Sequence, residues 1–354
     1  MFETGGVNVK KCPNASCGYE NDDESQYCIK CGNGLTPGEA QPNTGEGSSS
    51  SSKAIIIAAA VIGVLIIAGA LLFTQLGQPS FDASANNAGK VSSQVAVKSS
   101  VDAYTWEELA AIANEIELAG GGADSWDVAK KYNLCTPDSK LDGSQLKTIY
   151  LQDGTKTQVQ IIDFMHDEKT SGGKAGITFL FKDCVAVQKM NKDYLKSGGW
   201  RDSDLRDWLN GVFVNELLPR DMLNVMVLVD KETNNKGEAR DVSCVTKTSD
   251  LMWVPSAVEL CSEIHWASDK FSYANDICSI EGSGYRLFRD IGVNCNKSNP
   301  ILAKGLPSGE AETWWLRTSR ARYGGYFYHV EANGNPHKFD YADNSYGVAP
   351  GFCI

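Results

Sequence analysis

The chain has 354 residues, of which 42% are apolar and 22% charged, a globular balance that allows two domains or one domain with appendages. Lys and Arg number 33 against 44 Asp and Glu, a formal net charge of −11. Neither residues 1–73 nor the remainder carries a positive surplus, which excludes neutralising nucleic-acid phosphates as the main role.

The first chemistry-bearing stretch is CPNASCGYENDDESQYCIKCG, where Cys12, Cys17, Cys28 and Cys31 form two close pairs across a short loop. Zn²⁺ takes four ligands in a tetrahedron, and two thiolate-bearing turns supply two each. Gly18 and Gly32 follow the second cysteine of each pair. There they let the backbone fold tightly, with amides aimed at the sulfurs. Residues 1–34 hold almost no apolar side chains, so metal has to supply the folding energy. The pattern resembles the short bacterial zinc ribbons, CPxCG followed by CxxCG, with a first turn two residues longer here. One structural Zn²⁺ on Cys12, Cys17, Cys28 and Cys31 is the expectation; two disulfides or a ribbon without metal are the alternatives.

Residues 35–53, rich in Gly, Ser and Pro, read as a flexible linker. Residues 54–73 are apolar throughout and without charge, roughly 30 Å of helix, and are expected to form one transmembrane helix rather than a buried core helix. Residues 74–102 are polar and read as a second linker. Lys53 abuts the run, whereas Lys90 is the first positive charge beyond it. That bias, with thiolate zinc favouring a reducing compartment, implies a cytoplasmic N-terminus. The expected location is the cell membrane, single-pass, with residues 103–354 extracytoplasmic.

In YTWEELAAIANEIE, Thr105 and Glu108 make a capping box, and Trp106, Leu109, Ile112, Ala113 and Ile116 share one helical face. The glycines at 120–122 end that helix. TIYLQDGTKTQVQIIDFM and KAGITFLF read as strands with an Asp-Gly turn. A second helix is expected over 200–218, with Leu205, Trp208, Leu209, Val212 and Phe213 inward and Pro219 at its end. MLNVMVLVDKET reads as a strand, and Ser256 with Glu259 opens a short third helix. WWLRT, YFYHVEA, an Asn333-Gly334 turn and GVAPGFCI form a closing strand series. The fold class expected for this region is α+β with an antiparallel sheet.

TQVQIIDFMHD, KAGITFLF, GWRDSDLRDWLN, LMWVPSAVEL, EGSGYRLF, WWLRTS and GVAPGF together resemble the bacterial family called domain of unknown function 6273, across about 105–354. That resemblance implies a C-type-lectin-like fold, shared with the formylglycine-generating, sulfatase-modifying proteins. Ala349 stands where the family commonly has arginine.

No catalytic residue is assigned. The paired cysteines of formylglycine-generating proteins are not matched by Cys353 and the distant Cys295. His166, His265, His329 and His337 are scattered, and His166-Asp167-Glu168 reads as a solvated loop before it reads as a cation site. The motifs of calcium-dependent lectins are absent. Aromatic faces stack on sugars, and Trp314, Trp315, Tyr323, Tyr326, Tyr328, Tyr341 and Tyr346 crowd the last third, with one of Trp314 and Trp315 expected inward. Arg317, Arg320 and Arg322 are solvated or grip a carboxylate bidentately. The candidate ligand-binding residues are Trp314, Arg317 and Tyr326. Cys135, Cys184, Cys244, Cys261, Cys278, Cys295 and Cys353 are seven, so complete pairing leaves one thiol, and 244, 261, 278 and 295 are evenly spaced.

The expected function is a membrane-anchored bacterial protein presenting an extracytoplasmic binding domain. Its expected partners are membrane lipid and a cell-wall glycan or surface protein. A transmembrane sensor acting through the ribbon and an extracytoplasmic enzyme are the alternatives.

Overall fold

A computed structural model of the chain describes residues 9–11, 20–22, 95–236, 238–321 and 323–354. Contacts divide the chain between Ser93 and Gln94 into two units. In the first, strands β1 (Val9–Lys11) and β2 (Glu20–Asp22) pair antiparallel, with Lys10 opposite Asn21. Cys12, Cys17, Cys28 and Cys31 lie outside the described residues, as do both expected linkers up to residue 94 and the apolar run 54–73.

The expected fold class requires correction. The described chain is α+β with mainly antiparallel sheets, and among the described residues no helix is long and apolar enough to cross a membrane. The longest described α-helix has 13 residues, about 20 Å where a bilayer core needs about 30 Å. The single membrane-spanning helix is therefore dropped from the fold class.

The second unit begins with α1 (Trp106–Leu118), capped reciprocally by Thr105 and Glu108 as the sequence predicts. All five residues of its predicted inner face are buried. The glycines end it, but Gly122 at once opens α2 (Gly122–Lys131), a helix the sequence reading did not anticipate. Strands β3 (Leu146–Tyr150) and β4 (Lys156–Phe164) form a hairpin whose Gly154 adopts φ 87°, the left-handed turn that the Asp-Gly pair announces. β5 (Ile177–Phe181) continues the sheet. Gly176, just before β5, lies under α1 so closely that a Cβ there would sit 2.3 Å from the Ala113 carbonyl oxygen.

After β6 (Ala186–Lys189), α3 (Asp204–Trp208) runs straight into a π-helical stretch, Leu209–Leu217. Leu205, Leu209 and Phe213 point inward as expected, but Val214 is buried where Val212 was expected to be. The wider π turn, with its i→i+5 bonds, moves the inward face along the sequence. The strand predicted over 222–233 starts late, because Pro219 initiates another short helix, α4 (Arg220–Leu223). β7 (Val229–Asn234) and β8 (Val245–Asp250) then form a two-stranded sheet.

Ser256 and Glu259 cap α5 (Ala257–Cys261), and α6 (Ser272–Ser279) and α7 (Arg286–Ile291) follow. A short pair, β9 (Lys304–Gly305) and β10 (Ala311–Glu312), leads into β11 (Trp314–Ser319), β12 (Tyr326–Val330), β13 (Lys338–Tyr341), β14 (Ser345–Val348) and β15 (Gly351–Cys353). One sheet has the order β13-β12-β11-β14-β6, antiparallel except where Trp314 meets Gly347 in parallel. The other has the order β15-β5-β4-β3, so the last strand returns to the first ones. Phe352 of β15 stacks on Phe179 of β5 at 5.1 Å, and Trp106 of α1 meets both rings edge-on.

Cys261, at the end of α5, is bonded to Cys295, beyond α7, across 34 residues. Replacing both with alanine is expected to lower stability by about 3–4 kcal/mol on the loop-entropy scale. Denaturant unfolding of parent and double variant checks this, and a non-reducing peptide map should recover the linked fragments.

Candidate functional site

Two features of the second unit bring chemistry-bearing groups together: a buried charge network and an exposed aromatic face. The network centres on Arg317 of β11, which is 0% exposed. Its guanidinium grips both oxygens of Glu259 and also donates to the Thr233 hydroxyl and the Val254 and Glu281 carbonyls. Lys231 of β7 reaches Glu259 at 2.7 Å and donates to Asp167 and to the Tyr285 hydroxyl. The Trp253 ring lies under its ammonium at 4.4 Å. Burial works to raise the pKa of Asp167, but Lys231 and His166 beside it hold the carboxyl well below the usual range. Glu259 is likewise lowered, against its burial, by Arg317 and Lys231.

Two cations thus answer two carboxylates, and a third buried acid has none of its own. Burial pushes Glu281 up to about 7, although the Asn234 amide and the Thr318 hydroxyl donate to it.

Of the three predicted ligand-binding residues, Arg317 and Trp314 are fully buried, so neither offers a surface to a ligand. Trp315 is buried too, contrary to the expectation that alternation would turn one tryptophan outward. β11 is the middle strand of five and is covered on both faces, with the indole N–H of Trp314 donating to Leu302 and that of Trp315 to Gln188.

Tyr326 is half-buried on β12 and belongs to the aromatic face. Cross-strand pairing sets it opposite Tyr341 of β13, ring centroids 4.3 Å apart, and sets Tyr328 opposite Phe339. Tyr194 meets Tyr341 at 5.3 Å, and Tyr323 meets Tyr326 at 5.8 Å. Tyr194, Tyr323, Phe339 and Tyr341 are 37–46% exposed, which makes this edge of the five-stranded sheet a platform of open rings. Arg320 lies over it, 3.6 Å from the Phe339 centroid and 4.7 Å from Tyr323. Among the described residues its guanidinium has no hydrogen-bond acceptor and no carboxylate partner. Of the three arginines singled out in sequence, Arg322 lies outside the described residues.

Tyr194 and Phe339 escaped the sequence reading. Phe339 could have been found by two-residue alternation with Tyr341, but Tyr194 comes from a loop far along the chain and carries no local signal.

Among the described residues, His166 meets both a hydroxyl and a carboxylate. His166 Nε2 lies 2.9 Å from the exposed Ser283 hydroxyl, but 3.0 Å from the Ser283 carbonyl as well. Its Nδ1 lies 3.5 Å from an Asp167 oxygen; burial works to lower the imidazole's pKa, but Asp167 raises it, and the same carboxylate accepts from Lys231, Tyr285 and Thr178. Cys135, Cys184, Cys244, Cys278 and Cys353 are buried thiols, and burial pushes Cys135 and Cys244 up to about 11 and Cys184 up to about 12. Among the described residues no group of three or more His, Cys, Asp or Glu is placed to hold a metal.

Residues 175–354 match the family described as Domain of unknown function (DUF6273). The chain belongs to that family. The DUF6273 region carries Lys231, Glu259, Glu281, Arg317 and every ring of the aromatic platform, whereas Asp167 and α1 precede it. No curated protein and no solved structure matches the chain.

The raised Glu281 pKa fixes a pH dependence. A carboxyl bound more tightly to its proton in the folded state than at its ordinary 4.5 contributes stability below that value and loses it as pH rises toward 7. Glu281→Gln, which stays neutral, is expected to unfold like the parent near pH 4.5. Near pH 8 it should be more stable by on the order of 2–3 kcal/mol. Urea midpoints measured across that range decide it.

Proposed function

We propose that the second unit is an extracytoplasmic recognition domain that holds a wall polymer, glycan or protein ligand on the aromatic platform of β12 and β13. The observation that carries this reading is the cluster of partly exposed rings around Tyr326, beside an arginine, Arg320, that has no carboxylate partner among the described residues. Rings with a polar tip offer a large contact area at little entropic cost, which suits a binding face. The Cys261–Cys295 disulfide supports a location outside the reducing cytoplasm. The lectin-like reading of the fold belongs to the same proposal and is supported by the return of β15 to the sheet of β3, β4 and β5.

For the first unit the proposal is one structural Zn²⁺ on Cys12, Cys17, Cys28 and Cys31. The pairing of β1 with β2 supports it, since the segment joining these strands contains Cys12 and Cys17. Such a site would lend the unit folding energy that its few apolar residues lack.

Two measurements test these readings. The full-length chain is expected to bind a member of a panel of wall fragments and glycans saturably and to return it with unchanged mass. Tyr326→Ala is expected to weaken that binding about tenfold or more; recovery of an altered ligand would indicate an enzyme instead. Protein purified under reducing conditions is expected to contain one zinc per chain, lost in a Cys28→Ser/Cys31→Ser variant.

A further inference from the structure

We infer that the aromatic platform and the cleft beside it form one site for an acidic saccharide, a sugar chain bearing carboxylate or phosphate groups. The inference rests on the recognition reading above and adds the class of ligand. A cleft of about 350 Å³ adjoins the platform, lined by Glu238, Arg240, Lys270, Phe271, Tyr273 and Tyr323. Tyr323 belongs to both surfaces: it lines the cleft, and its ring packs on Tyr326. The wall is held in place by backbone pairing, because the Ala239 amide donates to the Ala321 carbonyl at 2.8 Å and so ties the β7–β8 connection to the end of β11.

Charge at this place points to an anionic ligand. In a chain of net charge −11, Arg240, Lys270 and Arg320 gather around Tyr323. Among the described side chains none of the three is paired with a carboxylate. Cations left unpaired on an acidic protein draw anions to one spot. A guanidinium that contacts rings and has no acceptor among the described residues retains N–H groups whose fork matches a carboxylate or phosphate. Glu238 on the same cleft accepts hydrogen bonds, as a sugar's hydroxyl groups require.

The rings supply stacking faces and the phenol hydroxyls supply polar tips, the two things a pyranose presents surfaces for. A long nucleic acid fits worse: three cations do not offset the repulsion of so acidic a chain.

The test titrates the full-length chain with four probes of similar length: a neutral oligosaccharide, a uronate oligosaccharide, a phosphate-bearing sugar oligomer and a single-stranded oligonucleotide. Binding to at least one acidic sugar is expected to exceed that to the neutral one by about tenfold at low salt and to weaken as salt rises. Arg320→Gln should remove that preference, and Arg320→Lys should restore part of it. Arg240→Gln and Lys270→Gln, on exposed side chains, should each weaken acidic binding with an unchanged melting temperature. Which acidic probe binds separates carboxylate from phosphate recognition.

Equal binding of neutral and acidic sugars would overturn the charge inference and leave the recognition reading standing. Tighter binding of the oligonucleotide would replace the ligand class. No binding to any probe would count against both.

Discussion

The Arg317 guanidinium, buried in the middle of a five-stranded sheet, can exist there only because four separate segments bring it acceptors. Glu259 comes from α5, Thr233 from β7, and carbonyls come from Val254 and Glu281. An ion of this size costs several kcal/mol to remove from water unless such partners meet it. The demand therefore runs outward from the arginine: each segment must arrive in one register for the charge to be tolerated. Lys231 extends the same condition to Asp167, and through Asp167 to Thr178 on β5 of the second sheet. A network of this kind specifies one arrangement more than it adds stability.

That arrangement also decides what is left for the surface. With β11 fixed at the centre, its tryptophans and arginine are consumed by the core, and the adjoining strands β12 and β13 carry the rings that remain open. The connection between β7 and β8 is drawn to the end of β11 by the amide of Ala239. The cleft by Tyr323 is lined on one side by that connection. The proposed face draws on β12 and β13 at the sheet edge and on the connections beside them that carry Tyr194, Arg240, Arg320 and Tyr323.

Much of the local structure was legible. The Thr105–Glu108 and Ser256–Glu259 boxes announced two helices, because reciprocal capping needs nothing beyond four consecutive positions. The Asp-Gly and Asn-Gly turns at Gly154 and Gly334 did the same, since few residues accept their positive φ. Other local readings failed. A π-helical stretch moved Val214 inward in place of Val212, and Pro219 opened a helix where a strand was expected. Both failures follow from assuming the ordinary helical period and a single role for proline. The expected membrane-spanning helix did not survive in the fold class, for no described helix has the length.

By itself the sequence determined the α+β character of the second unit, its caps and turns, and membership of its family through motifs along the chain. These depend on spacing within a few residues or on the order of short stretches. Only the tertiary structure decided which of the aromatics singled out in sequence, and which of Arg317 and Arg320, face solvent. Alternation predicts a strand's two sides but not whether both are covered, so Trp314 and Arg317 read as exposed candidates until the sheet order placed β11 in the middle. It also joined Tyr194 to Tyr341 and Arg320 to Phe339, contacts between residues that share no local pattern. Whether a ring or a charge is buried depends on what packs over it, and that partner comes from elsewhere in the chain.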